Sequence, residues 1–212
     1  MIENRRPISS RSTGWANKIA KYLSNKSITP NQISLASIVF SLFGMLSILY
    51  LKNYYGFILC IIFIQARLLC NLFDGMVAIE GGKKTISGPL YNEFPDRIAD
   101  TLLLVGLGYA TSMPTLGWLA ALLALGTAYI RVFANTVSLP QTFIGPMAKQ
   151  HRMATLSIAC LIGQFEWIYN LSHYVLDISL LVIIIGCAVS CYNRTMYLIG
   201  GLKNKEVNHD NI

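Results

Sequence analysis

Six long apolar runs constrain this chain more than any other feature of its sequence. They cover residues 33–51, 55–78, 90–113, 116–139, 152–169 and 175–198. A helix needs about 20 predominantly apolar residues to cross the hydrocarbon core of a bilayer. Inside lipid every backbone N–H and C=O must be satisfied within the protein, and a helix does this within each run. The expected fold is an all-α membrane protein with six transmembrane helices, in one domain over residues 32–199. Composition agrees: 54% of the 212 residues are hydrophobic and 13% are charged, which excludes an ordinary soluble domain. The net charge of +7 does not signal a nucleic-acid partner, because the basic residues gather at the ends of the apolar runs. The partner that fits this distribution is the lipid bilayer.

Residues 1–31 read as a basic tail followed by a short interfacial amphipathic helix over 13–23. Trp15, Ile19, Tyr22 and Leu23 share one face of it, and Asn17, Lys18 and Lys21 the other. Such a helix lies in the plane of the membrane interface. Thr29 suits an N-cap and Pro30 a first helical turn, so the first span is expected to start there. Residues 200–212 form a polar tail expected to lack regular structure. Cys60, Cys70, Cys160, Cys187 and Cys191 all lie inside apolar runs, where small buried hydrophobes are expected rather than disulfides. No cleavable signal peptide is expected, since polar and basic residues precede the first run.

Orientation follows from charge. The terminal tails and the second and fourth loops hold nearly all the Lys and Arg outside the runs, and the other three loops hold only Lys52. By the positive-inside rule both termini face the cytoplasm, across an inner membrane if the cell is bacterial. The loop between the second and third runs faces the same way.

That loop and its flanks carry the chemistry. Residues 71–100 hold five of the ten acidic residues in the protein: Asp74, Glu80, Glu93, Asp96 and Asp100. A carboxylate at the mouth of a membrane bundle is costly unless a cation or a hydrogen-bond donor holds it. On a helix Asn71, Asp74, Gly75 and Ala78 form one stripe, and Asn92, Asp96 and Asp100 a second with Glu93 at its edge. Two facing rows of oxygen ligands suit a hard cation such as Mg²⁺ holding a pyrophosphate. Gly75, Ala78 and Gly88 leave room for a ligand close to the backbone.

This stretch resembles the signature of the CDP-alcohol phosphatidyltransferase family, D-x-x-D-G-x-x-A-R-x8-G-x-x-x-D-x-x-x-D. Laid on without gaps, the four acids of the signature fall on Asn71, Asp74, Asn92 and Asp96, and the glycines on Gly75 and Gly88. Its alanine falls on Ala78 and its arginine on Ile79. The pattern is that of a variant branch with Asn at two of the four Asp positions. An inserted register would move the last two acids to Asp96 and Asp100; the ungapped one is preferred. The resemblance implies a metal-dependent transferase, using Mg²⁺ or Mn²⁺, that moves a phosphatidyl group from a CDP-linked lipid to an alcohol and releases CMP. It implies a homodimer. It also implies that Asp96 is the base, with Asp74, Asn71, Asn92 and Asp96 around the metal; Glu93 or Asp100 can restore charge there.

The basic residues inside or beside the runs complete the expectation. Arg67, one turn before Asn71, can stand in part for the arginine missing at Ile79. Arg131, Lys149, Arg152 and Arg194 can clamp phosphates of the donor or of a phosphorylated acceptor. Snorkelling to the interface is the alternative for each. Two other functions fit parts of the sequence: a catalytically impaired relative that binds CDP-lipid or metal, and a small transporter. The motif spacing and the lack of an internal repeat speak against the transporter.

Overall fold

A computed structural model describes residues 13–26, 28–51, 53–79, 81–171 and 174–209. Among these the protein is all-helical. The elements are α1 (Gly14–Asn25), α2 (Pro30–Tyr50), α3 (Tyr54–Ile79), α4 (Gly88–Ala110), α5 (Pro114–Thr136), α6 (Lys149–Ile168) and α7 (Val175–His209). The basic tail before residue 13, together with Lys52, Glu80 and His173, lies outside the described residues. The chain divides into two compact units, Met1–Leu103 and Leu104–Ile212.

Four helices are long and apolar enough to cross a membrane: α2, α3, α5 and the stretch Val175–Glu206 of α7. The other two long helices, α4 and α6, span 23 and 20 residues. Both carry charge: Glu93, Asp96, Arg97 and Asp100 in α4, and Lys149 and Arg152 in α6.

Local chemistry sets the helix ends. Thr29 caps α2 as expected, and does so reciprocally: its Oγ1 accepts from the Gln32 N–H at 3.2 Å, and its own N–H donates to Gln32 Oε1 at 3.0 Å. Asn53 Oδ1 accepts from the Gly56 N–H at 3.1 Å, at the start of α3. Helices α4, α5 and α6 end on left-handed residues, Ser112, Ser138 and Asn170. In each case the next N–H reaches back to a last-turn carbonyl: Met113 to Gly108, Leu139 to Ala134 and Leu171 to Glu166.

In the first unit small residues bring α2 against α3. Ser34, Ser37, Ser41, Gly44 and Ser47 are buried on α2, and their hydroxyls bond back to carbonyls of their own helix at 2.6–3.1 Å. A Cβ added at Gly44 would stand 3.4 Å from Phe63 Cβ, and one at Gly56 would stand 2.8 Å from the Ser47 carbonyl oxygen. Close approach of this kind is how helices associate in lipid, where no hydrophobic force drives them together. Helix α1 packs on α3 through Ala16 and Ala20, which are buried with Leu72, Phe73, Met76 and Val77. The faces of α1 therefore differ from the expectation. Leu23 lies partly buried on the alanine side, whereas Trp15, Ile19 and Tyr22 stay exposed.

In the second unit α4 and α5 meet at Gly108 and Gly117, where a Cβ on either would lie 2.5–2.7 Å from the other's Cα. The small residues of α5, Gly117, Ala120, Ala121, Ala124, Thr127 and Ala128, are buried. The polar C-terminal segment is not irregular as expected: α7 runs on to His209. Two long-range contacts hold it. Lys205 Nζ donates to the Val137 and Ser138 carbonyls at 3.0 and 2.8 Å, placing a cation at the C-terminal end of α5. Gly201 lies so close to Leu139 that a Cβ would come within 2.9 Å of Cδ1.

Candidate functional site

In the first unit the carboxylates of α3 and α4 are buried at the loop-proximal ends of those helices. Asp74, Asp96 and Asp100 are 4%, 6% and 2% exposed. Along α4 the burial of Asp96, Ala99, Asp100, Leu103 and Leu107 traces one face. Pro95 sits inside the helix without breaking it. Because Pro95 has no N–H, the Tyr91 carbonyl lacks its helical donor one turn earlier.

Arg67 links the two helices. Its Nη2 lies 2.6 Å from Asp100 Oδ1 and 3.8 Å from Asp96 Oδ1, and 3.4 Å from the Asp96 carbonyl oxygen. The guanidinium is fully buried, with Nε and Nη1 lacking hydrogen-bond partners. The sequence predicts that Arg67 stands in part for the arginine missing at Ile79; in the structure its nearest acidic partner is Asp100.

Asp74 Oδ2 accepts a hydrogen bond from Ser34 Oγ at 2.7 Å, a contact between α2 and α3. Sequence reasoning missed Ser34. Its signal was the serine stripe at 34, 37 and 41 in an otherwise apolar run. Asn71 is half-buried, and its Nδ2 is buried without a hydrogen-bond partner. Asn92 is exposed at the start of α4. Glu93 pairs with Arg97 one turn on, at 2.8 Å. Gly75 and Ala78 are half-buried, and a Cβ at Gly88 would meet only Thr85 Oγ1 at 3.5 Å.

These residues fit a hard divalent cation by donor type, since the carboxylates and the Asn71 amide all offer oxygen. The orphaned Asn71 amide agrees: half a turn about its last torsion puts an acceptor oxygen where an unpaired N–H now sits. Among the described residues no three acidic, His or Cys side chains converge closely enough to hold a metal by themselves. Asp100 is drawn aside by Arg67.

The basic residues expected to hold phosphates lie in the second unit, around the loop between α5 and α6. Arg194 donates through Nε to the Ile144 carbonyl at 3.0 Å and through Nη1 to the Thr127 carbonyl. Arg152 Nη1 donates to the Met147 carbonyl at 3.0 Å. Arg131 Nη1 donates to Gln141 Oε1 at 2.9 Å and lies over the Phe143 ring. Lys149 is the first residue of α6. The Ser190 hydroxyl accepts from the Met147 N–H at 2.9 Å, and Gly145, at φ +117°, leaves no room for a Cβ against Ser190. The arginines thus hold loop carbonyls as well as charge, and Arg152 and Arg194 do so while almost wholly buried.

The fold has counterparts among solved structures. The phosphatidylinositol phosphate synthase of Mycobacterium tuberculosis with CDP-DAG bound matches with a TM-score of 0.71 at 17% identity, covering 86% of this chain and 92% of that one. The same enzyme in complex with manganese and citrate matches with a TM-score of 0.71, covering 86% and 88% at 17% identity. At that identity the likeness is one of fold. The inner membrane protein YnbA of Escherichia coli (strain K12) is 30% identical over 126 residues, or 59% of this chain and 63% of that protein. The match therefore spans under two thirds of that relative's length. With four helices able to cross a bilayer, the chain is an integral membrane protein. The profile of the CDP-alcohol phosphatidyltransferase family matches residues 27–191, most of the chain. The protein belongs to the CDP-alcohol phosphatidyltransferase family.

Proposed function

We propose that this protein transfers a substituted phosphate group from a CDP-linked lipid, such as CDP-diacylglycerol, to an acceptor alcohol and releases CMP, as a step of phospholipid synthesis. The observation that carries this is the burial of Asp74, Asp96 and Asp100 on α3 and α4, in a stretch whose spacing follows the family signature. The CDP-DAG bound to the similar mycobacterial enzyme supports the donor class.

Asp96 takes the proton of the acceptor hydroxyl. The resulting oxygen attacks the lipid-side phosphorus, the bond to the bridging oxygen breaks, and CMP leaves with that oxygen. Asp74, held by Ser34, and Asn71 would hold a divalent cation with Asp96, and Asn92 would add an amide oxygen. A bound Mg²⁺ or Mn²⁺ would neutralise the pyrophosphate and stabilise the departing CMP; the manganese complex of the similar enzyme supports that choice. Glu93 and Asp100 add negative charge at the margin. Gly75, Ala78 and Gly88 keep the approach to the backbone open. Arg131, Lys149, Arg152 and Arg194 supply positive charge for phosphate oxygens.

In this account α4 and α6 are also spans, giving six. At 1.5 Å per residue they measure about 34 and 30 Å, enough for a hydrocarbon core. Both termini and the acidic site face the cytoplasm, and α1 rests Trp15, Ile19 and Tyr22 on the membrane interface.

The function is tested by giving membranes containing the protein a labelled CDP-lipid and a panel of alcohols. A new labelled phospholipid formed with one acceptor supports the transferase. Binding of the CDP-lipid with no product under any acceptor supports the impaired relative instead.

A further inference from the structure

Helix α1 turns its large apolar residues away from the protein. At about 100° per residue, Trp15, Ile19 and Tyr22 fall within one arc of about 60°, and Ala16, Ala20 and Leu23 fall in the next. The small pair, Ala16 and Ala20, is buried on α3, while Trp15, Ile19 and Tyr22 are 48%, 40% and 60% exposed. A helix serving only to pack on α3 would bury its larger residues. Two contacts fix its rotation. The Trp15 ring meets Phe73 edge-on at 6.1 Å between centroids, and Lys83 Nζ donates to the Ser24 and Ile28 carbonyls at 2.7 and 3.3 Å. The exposed arc is therefore held outward.

Charge says what covers that arc. Lys18 lies about 40° beyond Tyr22, on the side away from the alanines, and Lys21 lies beyond Lys18; both are exposed. Lys26 Nζ stands 5.8 Å from the centroid of the Tyr22 ring. No acidic residue lies between Glu3 and Asp74 in the sequence, whereas Arg5, Arg6 and Arg11 precede α1. Just after α1, Pro30 begins a helix able to cross a membrane. Lys and Arg clustered on an amphipathic helix beside a span attract anionic headgroups, and Trp and Tyr favour the headgroup level. Lysines reach phosphates from there while their stems stay on apolar surface.

We propose that α1 is a docking surface for anionic lipid headgroups: Trp15, Ile19 and Tyr22 sit at the interface, and Lys18, Lys21 and Lys26 take the phosphates. This rests on α1 lying at the membrane interface, the placement proposed for it with the six spans. A phosphatidylcholine headgroup offers the same phosphate together with its own cation, so the lysines discriminate by net charge.

The test is quenching of Trp15 fluorescence by brominated phosphatidylcholine in proteoliposomes of the full-length protein. The share of brominated lipid is fixed, and phosphatidylglycerol replaces ordinary phosphatidylcholine stepwise. The chain has three tryptophans, so Trp118→Phe with Trp167→Phe isolates Trp15. Should that pair not fold, subtracting the signal of Trp15→Phe from that of the unmodified protein isolates it instead. Quenching should rise with the phosphatidylglycerol share and fall again in high salt. With Lys18→Gln, Lys21→Gln and Lys26→Gln combined, the share giving half the rise should increase about twofold or more. Lys18→Arg, Lys21→Arg and Lys26→Arg combined should leave it in place. Quenching that is equal at every phosphatidylglycerol share, or an unshifted response in the glutamine variant, would overturn the proposal and leave α1 at the interface. Trp15 unquenched in every lipid mixture would overturn that placement as well. CMP release is read separately, so neither outcome bears on the transferase.

Discussion

Ser34 on α2 donates its hydroxyl to Asp74 Oδ2 on α3 over 2.7 Å, with both side chains buried. That bond fixes one oxygen of the proposed metal-binding carboxylate from a helix outside the signature. The same hydroxyl lies 3.1 Å from the Pro30 carbonyl, so its one hydrogen is shared between a local and a long-range acceptor. The helix end does not need it, because Thr29 and Gln32 already cap α2.

Ser34→Ala should therefore leave α2 intact and loosen Asp74. Loss of a group that orients a metal ligand typically lowers metal affinity about 10–100-fold. A Mn²⁺ titration of CMP release should show the half-saturating concentration rising by that order, with the maximal rate less affected. An unchanged titration would show that Asp74 does not depend on Ser34.

Asp96 and Asp100 are separated by one helical turn and should fail differently. Asp96→Asn keeps a hydrogen-bonding side chain but cannot take a proton, so turnover should fall by about 10²–10⁴-fold while CDP-lipid binding persists. Asp100→Asn strips Arg67 of its nearest charge partner. Breaking a buried pair costs about 3–5 kcal/mol, so its main effect should be a lowered unfolding temperature. Turnover, binding and thermal unfolding measured on both variants in one detergent separate the two. An inactive but stable Asp100→Asn beside a normal Asp96→Asn would establish the inserted register and move the base one turn along α4.

Much of this was legible in the sequence, for a physical reason. Continuous apolar runs admit one backbone solution in lipid, so the helices fall where the runs do. Thr29 and Pro30 announce the start of α2 by chemistry confined to four residues. What the sequence hid depends on partners far along the chain. A serine within an apolar run looks like filler until the carboxylate forty residues later is known to face it. Arg67 looked like a stand-in for the arginine missing at Ile79 because its spacing to Asn71 is visible, while the turn of α4 that meets it is not. The C-terminal segment read as polar and unstructured, yet Lys205 finds its acceptors 67 and 68 residues away. Likewise, Glu93 stood in the acidic stripe by spacing, but Arg97 one turn on pairs with it.

Gly145 should resist substitution. Its φ of +117° disfavours any side chain, and a Cβ there would stand 2.6 Å from Ser190 Oγ and 2.7 Å from Ser190 Cα. Gly145→Ala should push the loop off α7 and weaken the Met147–Ser190 and Arg194–Ile144 bonds. Overpacking of this kind costs about 1–3 kcal/mol. Thermal unfolding of the purified variant reads the loss; an unfolding temperature equal to that of the parent would mean the loop is not seated as described.

Topology has its own test. A reporter fused after Ile212 should read cytoplasmic, and one inserted between Met113 and Leu116 should read on the opposite side. The reverse pair of signals would remove the cytoplasmic assignment of the acidic site.

The central claim is that the buried carboxylates of α3 and α4 support metal-dependent transfer from a CDP-lipid. Its most direct measurement is CMP released by the purified protein from CDP-diacylglycerol with an acceptor panel, in Mn²⁺, in Mg²⁺ and in EDTA, with Asp74→Asn run in parallel. The account predicts CMP release with at least one acceptor, abolished by EDTA and reduced by orders of magnitude in Asp74→Asn. CMP release that is equal in EDTA and in metal, or undiminished in Asp74→Asn, would contradict it.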